Sequence, residues 1–180
     1  MEDLNTEKKE GCLTKCLLSR RQFLLSGGIA TATIFLGLPG FGTREVEAVV
    51  SEYPRTKIGK LSALKQDVPV TFEYPTKEFK NMLVKLGVPA GGGVGPKKDV
   101  VAFNPVCTHM GGPLDKAYHA EYKALGQCPF HQSTFDLTRH GMIICGHATE
   151  SLPQIQLDVE GDDIYATAII GLVFGRHSNL

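Results

Sequence analysis

Two short stretches constrain this chain more than any others: Cys107-Thr108-His109-Met110-Gly111-Gly112 and Cys128-Pro129-Phe130-His131-Gln132-Ser133. Each supplies one thiol and one imidazole, first in a C-x-H arm and then in a C-x-x-H arm. A fold that uses them must carry two separate loops to one point. Gly111 and Gly112 have no Cβ, so the first loop can turn with its backbone close to whatever is bound. Pro129 fixes one φ in the second loop, and Ser133 adds a hydroxyl beside the site.

Two sulfurs and two nitrogens are the donor set of a Rieske [2Fe-2S] centre, in which two His replace two Cys on one of the irons. Neutral imidazoles in place of thiolates remove negative charge from the cluster and ease its reduction. Potentials therefore rise to roughly −150 to +300 mV, against about −400 mV for all-cysteine plant-type clusters. On this reading Cys107, His109, Cys128 and His131 are the metal ligands and Ser133 donates to a cluster sulfide. Structural zinc shares the donor types, but its fingers place two Cys in one arm and two His in the other. Arms that each carry one of both favour the iron–sulfur cluster and one-electron transfer.

The first 48 residues read as a leader rather than as part of the fold. Ser19-Arg20-Arg21-Gln22-Phe23-Leu24-Leu25 resembles a twin-arginine export signal, and no charge follows from Gln22 to Thr43. Val46-Glu47-Ala48 then offers a small-residue cleavage site. The expectation is export to the periplasm as a folded, cluster-loaded protein, with residues 49–180 as the mature domain. Left uncut, the uncharged stretch is about long enough to act as a membrane anchor, although its Gly and Pro residues make it weakly apolar. Cys12 and Cys16 fall in this leader and are read as incidental. With 19 basic and 19 acidic residues the chain is neutral, which argues against nucleic acid as a partner.

From residue 49 onward the pattern is one of short strands and Gly/Pro turns. Edge strands are expected over Lys57–Leu61 and Val68–Tyr74, the latter because Pro69 cannot donate to a ladder. Further strands are expected over Met82–Val88, Asp99–Asn104, Glu121–Gln127, Thr134–Leu137 and Gly141–Cys145. Pro153–Val159 and Asp163–Ile170 alternate on either side of Glu160-Gly161-Asp162, a hairpin signal. Gly91-Gly92-Gly93-Val94-Gly95 lacks the Gly-Lys-Ser/Thr and the helix of a phosphate loop, so it reads as a flexible hairpin connection. The fold class is all-β, an antiparallel sandwich or small barrel, with the cluster loops at about residues 105–136.

Taken together, these segments resemble the small, Rieske subunit of arsenite oxidase from about Tyr53 to the C-terminus. Beyond the ligand loops, the likeness rests on Val68-Pro69-Val70-Thr71-Phe72-Glu73-Tyr74-Pro75, Gly93-Val94-Gly95-Pro96 and Met142-Ile143-Ile144-Cys145-Gly146-His147-Ala148-Thr149. It ends with Gly171-Leu172-Val173-Phe174-Gly175-Arg176. The resemblance implies an antiparallel β-sandwich base with a small cluster-binding subdomain. It implies a large partner subunit with molybdopterin and a [3Fe-4S] cluster, where arsenite is oxidised, so that no substrate chemistry occurs on this chain. Electrons would pass to a periplasmic cytochrome c or blue-copper protein. Cys107 and Cys128 would hold the buried iron, His109 and His131 the outer one, and reduction would raise proton affinity at the imidazoles.

The chain also departs from familiar Rieske patterns. Gly112 and Phe130 stand where many relatives place a pair of bridging cysteines, and Phe135 stands where a Tyr often donates to a cysteine sulfur. Fewer donors to sulfur imply a potential below that of bridged, Tyr-containing relatives. The same absences weigh against the alternative, the Rieske subunit of a quinol–cytochrome c complex. Cys145 has no evident partner and reads as a buried thiol. His147 lies near the cluster by analogy, where it either tunes the cluster or is a plain surface residue, and His119 and His140 read as exposed.

Overall fold

The computed structural model describes residues 52–180, so the leader and its processing lie outside the described residues. The alternating stretches become ten strands: β1 (Thr56–Lys60), β2 (Val70–Glu73), β3 (Lys80–Lys85), β4 (Val100–Phe103), β5 (Tyr118–His119), β6 (Ala124–Leu125), β7 (Thr134–Asp136), β8 (Met142–Cys145), β9 (Gln154–Glu160) and β10 (Asp163–Ile170). Six of them form one antiparallel sheet in the order β1-β10-β9-β4-β3-β2, and the others a second in the order β5-β6-β7-β8. The helical content among the described residues is one 3-10 turn, Leu61–Ala63. No helix there is long and apolar enough to cross a membrane.

The expected edge strands are the edges. β1 flanks β10 on one side of the larger sheet and β2 flanks β3 on the other. Pro69 sits one residue before β2, where a missing N–H leaves no ladder bond unmade. β9 and β10 form the expected hairpin, pairing Glu160 with Asp163 across a turn in which Gly161 takes φ +61°. The glycine stretch is not a loose connection, however. Gly91 N–H donates to the Thr138 carbonyl, its own carbonyl accepts from Gln154 Nε2, and Gly93 approaches the Lys98 carbonyl so closely that a Cβ would lie 2.2 Å away. These glycines serve close packing rather than flexibility.

β3 and β4 have no solvent face. Alternate residues of a strand point to opposite sides. Leu83, Val100 and Ala102 accordingly enter a core with Tyr74, Ile155, Leu157, Ile164 and Ile169. Met82, Val84, Val101 and Phe103 enter a second core with Leu114, Leu125, Phe135, Leu137 and both Cys107 and Cys128. The two strands are thus the common wall between the base and the end that carries the cysteine–histidine loops.

Buried polar side chains fix where that end begins. Asn81 Nδ2 donates to the Tyr74 carbonyl at 2.8 Å, and Asn104 Nδ2 donates to Asn81 Oδ1 at 3.0 Å. Asn104 N–H also donates to the Pro153 carbonyl at 2.9 Å. The chain therefore leaves β4 held on both sides, immediately before the first ligand loop. A second tie lies across the molecule, where Asp67 accepts from Tyr118 Oη and from Lys123 Nζ, each at 2.7 Å.

Candidate metal centre

The two ligand loops are built on one hydrogen-bonded frame. In the first, Gly111 N–H donates to the Cys107 carbonyl at 2.8 Å and Cys107 N–H to the Gly112 carbonyl at 2.9 Å. In the second, Gln132 N–H donates to the Cys128 carbonyl at 2.8 Å and Cys128 N–H to the Ser133 carbonyl at 2.9 Å. Each closes through a residue in the left-handed region, Gly111 at φ +69° and Gln132 at φ +60°. The equivalence of Gly111 and Gln132 is invisible in residue type, because only the first is the residue that favours this conformation.

The frames bring all four candidate ligands to one end of the molecule. Cys107 and Cys128 are buried as free thiols. Outside them the His109 and His131 rings meet edge to face with centroids 4.6 Å apart. His109 is half-buried and His131 exposed. Burial pushes the Cys107 thiol up and Cys128 adds to this, while the His109 amide and Ser133 hydroxyl pull it down. Loss of water, followed by the neighbouring His131 and His147, holds His109 below the usual imidazole value. A neutral imidazole is the form that binds metal.

These residues suit a diiron cluster better than a single ion. The candidate donors come as one pair of buried thiols and one pair of outer imidazoles, and a Rieske cluster asks two protein donors of each iron. Thiols inside and imidazoles outside match that division. The His109 amide and the Ser133 hydroxyl, which favour the anionic form of Cys107, are the kind of neighbours that tune such a cluster. Ser133 is fully buried, and its Oγ accepts from the amides of His147 at 3.1 Å and Ala148 at 3.0 Å.

Where other proteins bridge the loops with a disulfide, Gly112 packs against Phe130 instead. A Cβ on Gly112 would lie 3.2 Å from the Phe130 ring and 2.5 Å from Cys128 Sγ. Phe135 is fully buried in the core beneath and brings no hydroxyl. Cys145 is a correction: it is exposed, not buried. It ends β8, an edge strand of the smaller sheet that also exposes Met142 and Ile144. Four consecutive apolar residues there concealed which face was outward. His119 and His140 are exposed as expected, although His140 Nδ1 is paired with Gln154 Oε1 at 2.8 Å.

A third loop closes over both ligand loops, and its ties were not legible in the sequence. Gly146, at φ +102°, lies against the Ser133 backbone, where a Cβ would be 2.3 Å from Cα. Thr108 Oγ1 donates to the Glu150 carbonyl at 2.8 Å. His147 is thereby carried to the imidazole pair, stacking on His109 at 5.6 Å with 27° between the rings and meeting His131 at 5.7 Å.

A fold of this kind, with two matched loops presenting buried thiols and surface imidazoles, is that of a Rieske protein. The chain belongs to the Rieske [2Fe-2S] domain family, which matches residues 55–156, and a [2Fe-2S] cluster is its cofactor. It is 58% identical over 165 residues to the iodate reductase subunit IdrB of Denitromonas iodatirespirans, covering 92% of this chain and 88% of that one. It is 57% identical to the iodate reductase subunit IdrB of Pseudomonas sp. (strain SCT), covering 91% and 85%. Among solved structures, the soluble domain of the Rieske protein II (soxF) from Sulfolobus acidocaldarius aligns with a TM-score of 0.59. The identity is 25%, over 67% of this chain and 80% of that one.

Proposed function

We propose that this chain is the electron-transfer subunit of an iodate reductase, delivering single electrons to a large molybdenum-containing partner that reduces the substrate. The observation that carries this is identity of 57–58% to two iodate reductase small subunits over nearly their whole length. Cys107 and Cys128 would hold the inner iron, and His109 and His131 the outer one. When bound, the cluster supplies one-electron chemistry at a potential raised by its neutral imidazoles. The chain's own part is to keep two thiolates dry and to hold two imidazoles at the surface where a partner can reach them. The twin-arginine leader supports export to the periplasm after cluster insertion, with a periplasmic cytochrome c or blue-copper protein exchanging electrons on the other side.

A second reading is the small subunit of an arsenite oxidase, favoured by the resemblance of the segments Val68–Pro75 and Met142–Thr149 to that family. The two readings run electrons in opposite directions through the same domain. Iodate reduction draws them from this chain, whereas arsenite oxidation feeds them into it. Purifying the native protein with its large partner and assaying both substrates separates them. Oxidation of the reduced cluster by iodate, without reduction of the oxidised cluster by arsenite, is the expected result. The reverse pattern would replace the first reading with the second.

A further inference from the structure

Three imidazoles, not two, meet at the exposed end of the molecule. His109 and His131 belong to the ligand loops, whereas His147 comes from the loop after β8 and is not needed to complete the donor set. Its ring stacks on His109 with centroids 5.6 Å apart and planes within 27°, and it reaches His131 edge-on at 5.7 Å. Both separations fall in the range where flat rings attract, at about 4.5–7 Å.

The position is heavily determined. Ser133 Oγ accepts from the amides of His147 and Ala148, joining the third loop to the second ligand loop. Thr108 Oγ1 donates to the Glu150 carbonyl, joining it to the first. Gly146 allows the backbones to touch, since any Cβ there would enter Ser133. These ties come from backbone groups and from Ser133 and Thr108, none from the His147 ring. The side chain can therefore be changed while the loop keeps its anchors.

We propose that His147 is a positioning residue for the cluster: its ring lies along one face of His109, fixing that ligand's plane and excluding water from it. The inference rests on the cluster reading above and adds a residue outside the four ligands. Its physical consequence follows from charge. The reduced cluster carries one more negative charge than the oxidised one, and water admitted beside an imidazole ligand stabilises the more charged state. Solvent access around a metal site is one of the determinants of its potential. Removing the ring should make reduction easier, and any flat ring of similar size should restore the original behaviour.

The test uses the full chain, cluster-loaded and in complex with its large partner, as wild type, His147→Ala and His147→Phe. Cluster content is read from the EPR intensity of the reduced protein, and the midpoint from a redox titration. The expected result is normal cluster content in all three, a threefold or greater increase in the equilibrium constant for reduction in H147A, changed g-values in that variant, and near wild-type behaviour in H147F. An unchanged potential in H147A overturns the inference, as does an H147F variant that shifts as far as H147A, since stacking would then not be the cause. A wild-type protein with no Rieske EPR signal would instead overturn the cluster reading on which this one stands.

Discussion

Gly112 faces Cys128 so closely that a single added methyl would stand 2.5 Å from the Cys128 sulfur. An ordinary side-chain tip could swing aside, but a sulfur holding iron, the role proposed for Cys128, cannot. Gly112→Ala is therefore expected to fold yet to lose most of its cluster. Iron and acid-labile sulfide per chain, measured beside a melting curve, check this. Full cluster content in the variant would show that the loops spread more easily than their hydrogen-bonded frames imply.

Ser133 serves two sides at once, accepting from the His147 and Ala148 amides and, through its hydroxyl, favouring the anionic form of Cys107. Ser133→Ala leaves the buried Ala148 amide without its acceptor, at a cost of about 1–3 kcal/mol. It also removes the hydroxyl that favours the anionic form of Cys107, and with it some stabilisation of the more negative, reduced cluster. The expected outcome is a lower melting temperature together with a lower midpoint potential. A redox titration and a thermal melt on the same sample read both effects.

Asp67 clasps Lys123 and Tyr118, and in the ion pair the Asp67 side chain is only 22% exposed and that of Lys123 17%. Burial raises the Asp67 pKa, but hydrogen bonds from Lys123, Tyr118 and Gln66 outweigh it, leaving the carboxyl below its ordinary value. Burial, followed by its bond to Asp67, pushes the Tyr118 phenol well up. For an acid whose folded pKa is depressed, the stabilisation is complete above the unfolded value, near 3.9. It is lost as pH falls through the folded one. Asp67→Asn should cost about 1–2 kcal/mol at neutral pH, in the range of a charged hydrogen bond tempered by partial exposure. It should also melt less steeply than wild type as pH drops from 5 toward 3. Calorimetry across that window is the check.

Gln154 is buried and ties Gly91 to His140 through its amide. Gln154→Leu strands the Gly91 carbonyl and should destabilise the fold by about 1–3 kcal/mol. The EPR spectrum should stay as it was, because this contact lies outside the ligand loops. A changed spectrum would mean that the glycine loop is coupled to the cluster.

Cys145 is exposed while Cys107 and Cys128 are not. Iodoacetamide on the cluster-loaded protein should alkylate the peptide carrying Cys145 and spare the other two, without loss of EPR signal. Mass spectrometry after proteolysis reads the outcome directly.

The elements best foretold were those in which chemistry or alternation left little choice. That Cys107, His109, Cys128 and His131 meet at one end of the molecule was legible because their donor types admit few uses. β2 and the β9–β10 hairpin could be placed because Val70–Glu73 and Asp163–Ile170 alternate around clear turns. The two-residue β5 was missed, since Tyr118–His119 is too short to show a period. Cys145 was misjudged because Met142–Cys145 is apolar throughout and only the sheet order makes β8 an edge. His147 became legible only once the third loop was folded over the others, for its neighbours are set by bonds to Ser133 and Thr108 that no local pattern announces.

With Leu83 and Ala102 turned one way, and Val84 and Phe103 the other, the redox end cannot be cut free as an independent module. Excising it would bare the reverse side of β3 and β4 to water, and the base alone would suffer the same injury. Melting should therefore be a single cooperative event, in which the iron is released as the distant β1 edge lets go.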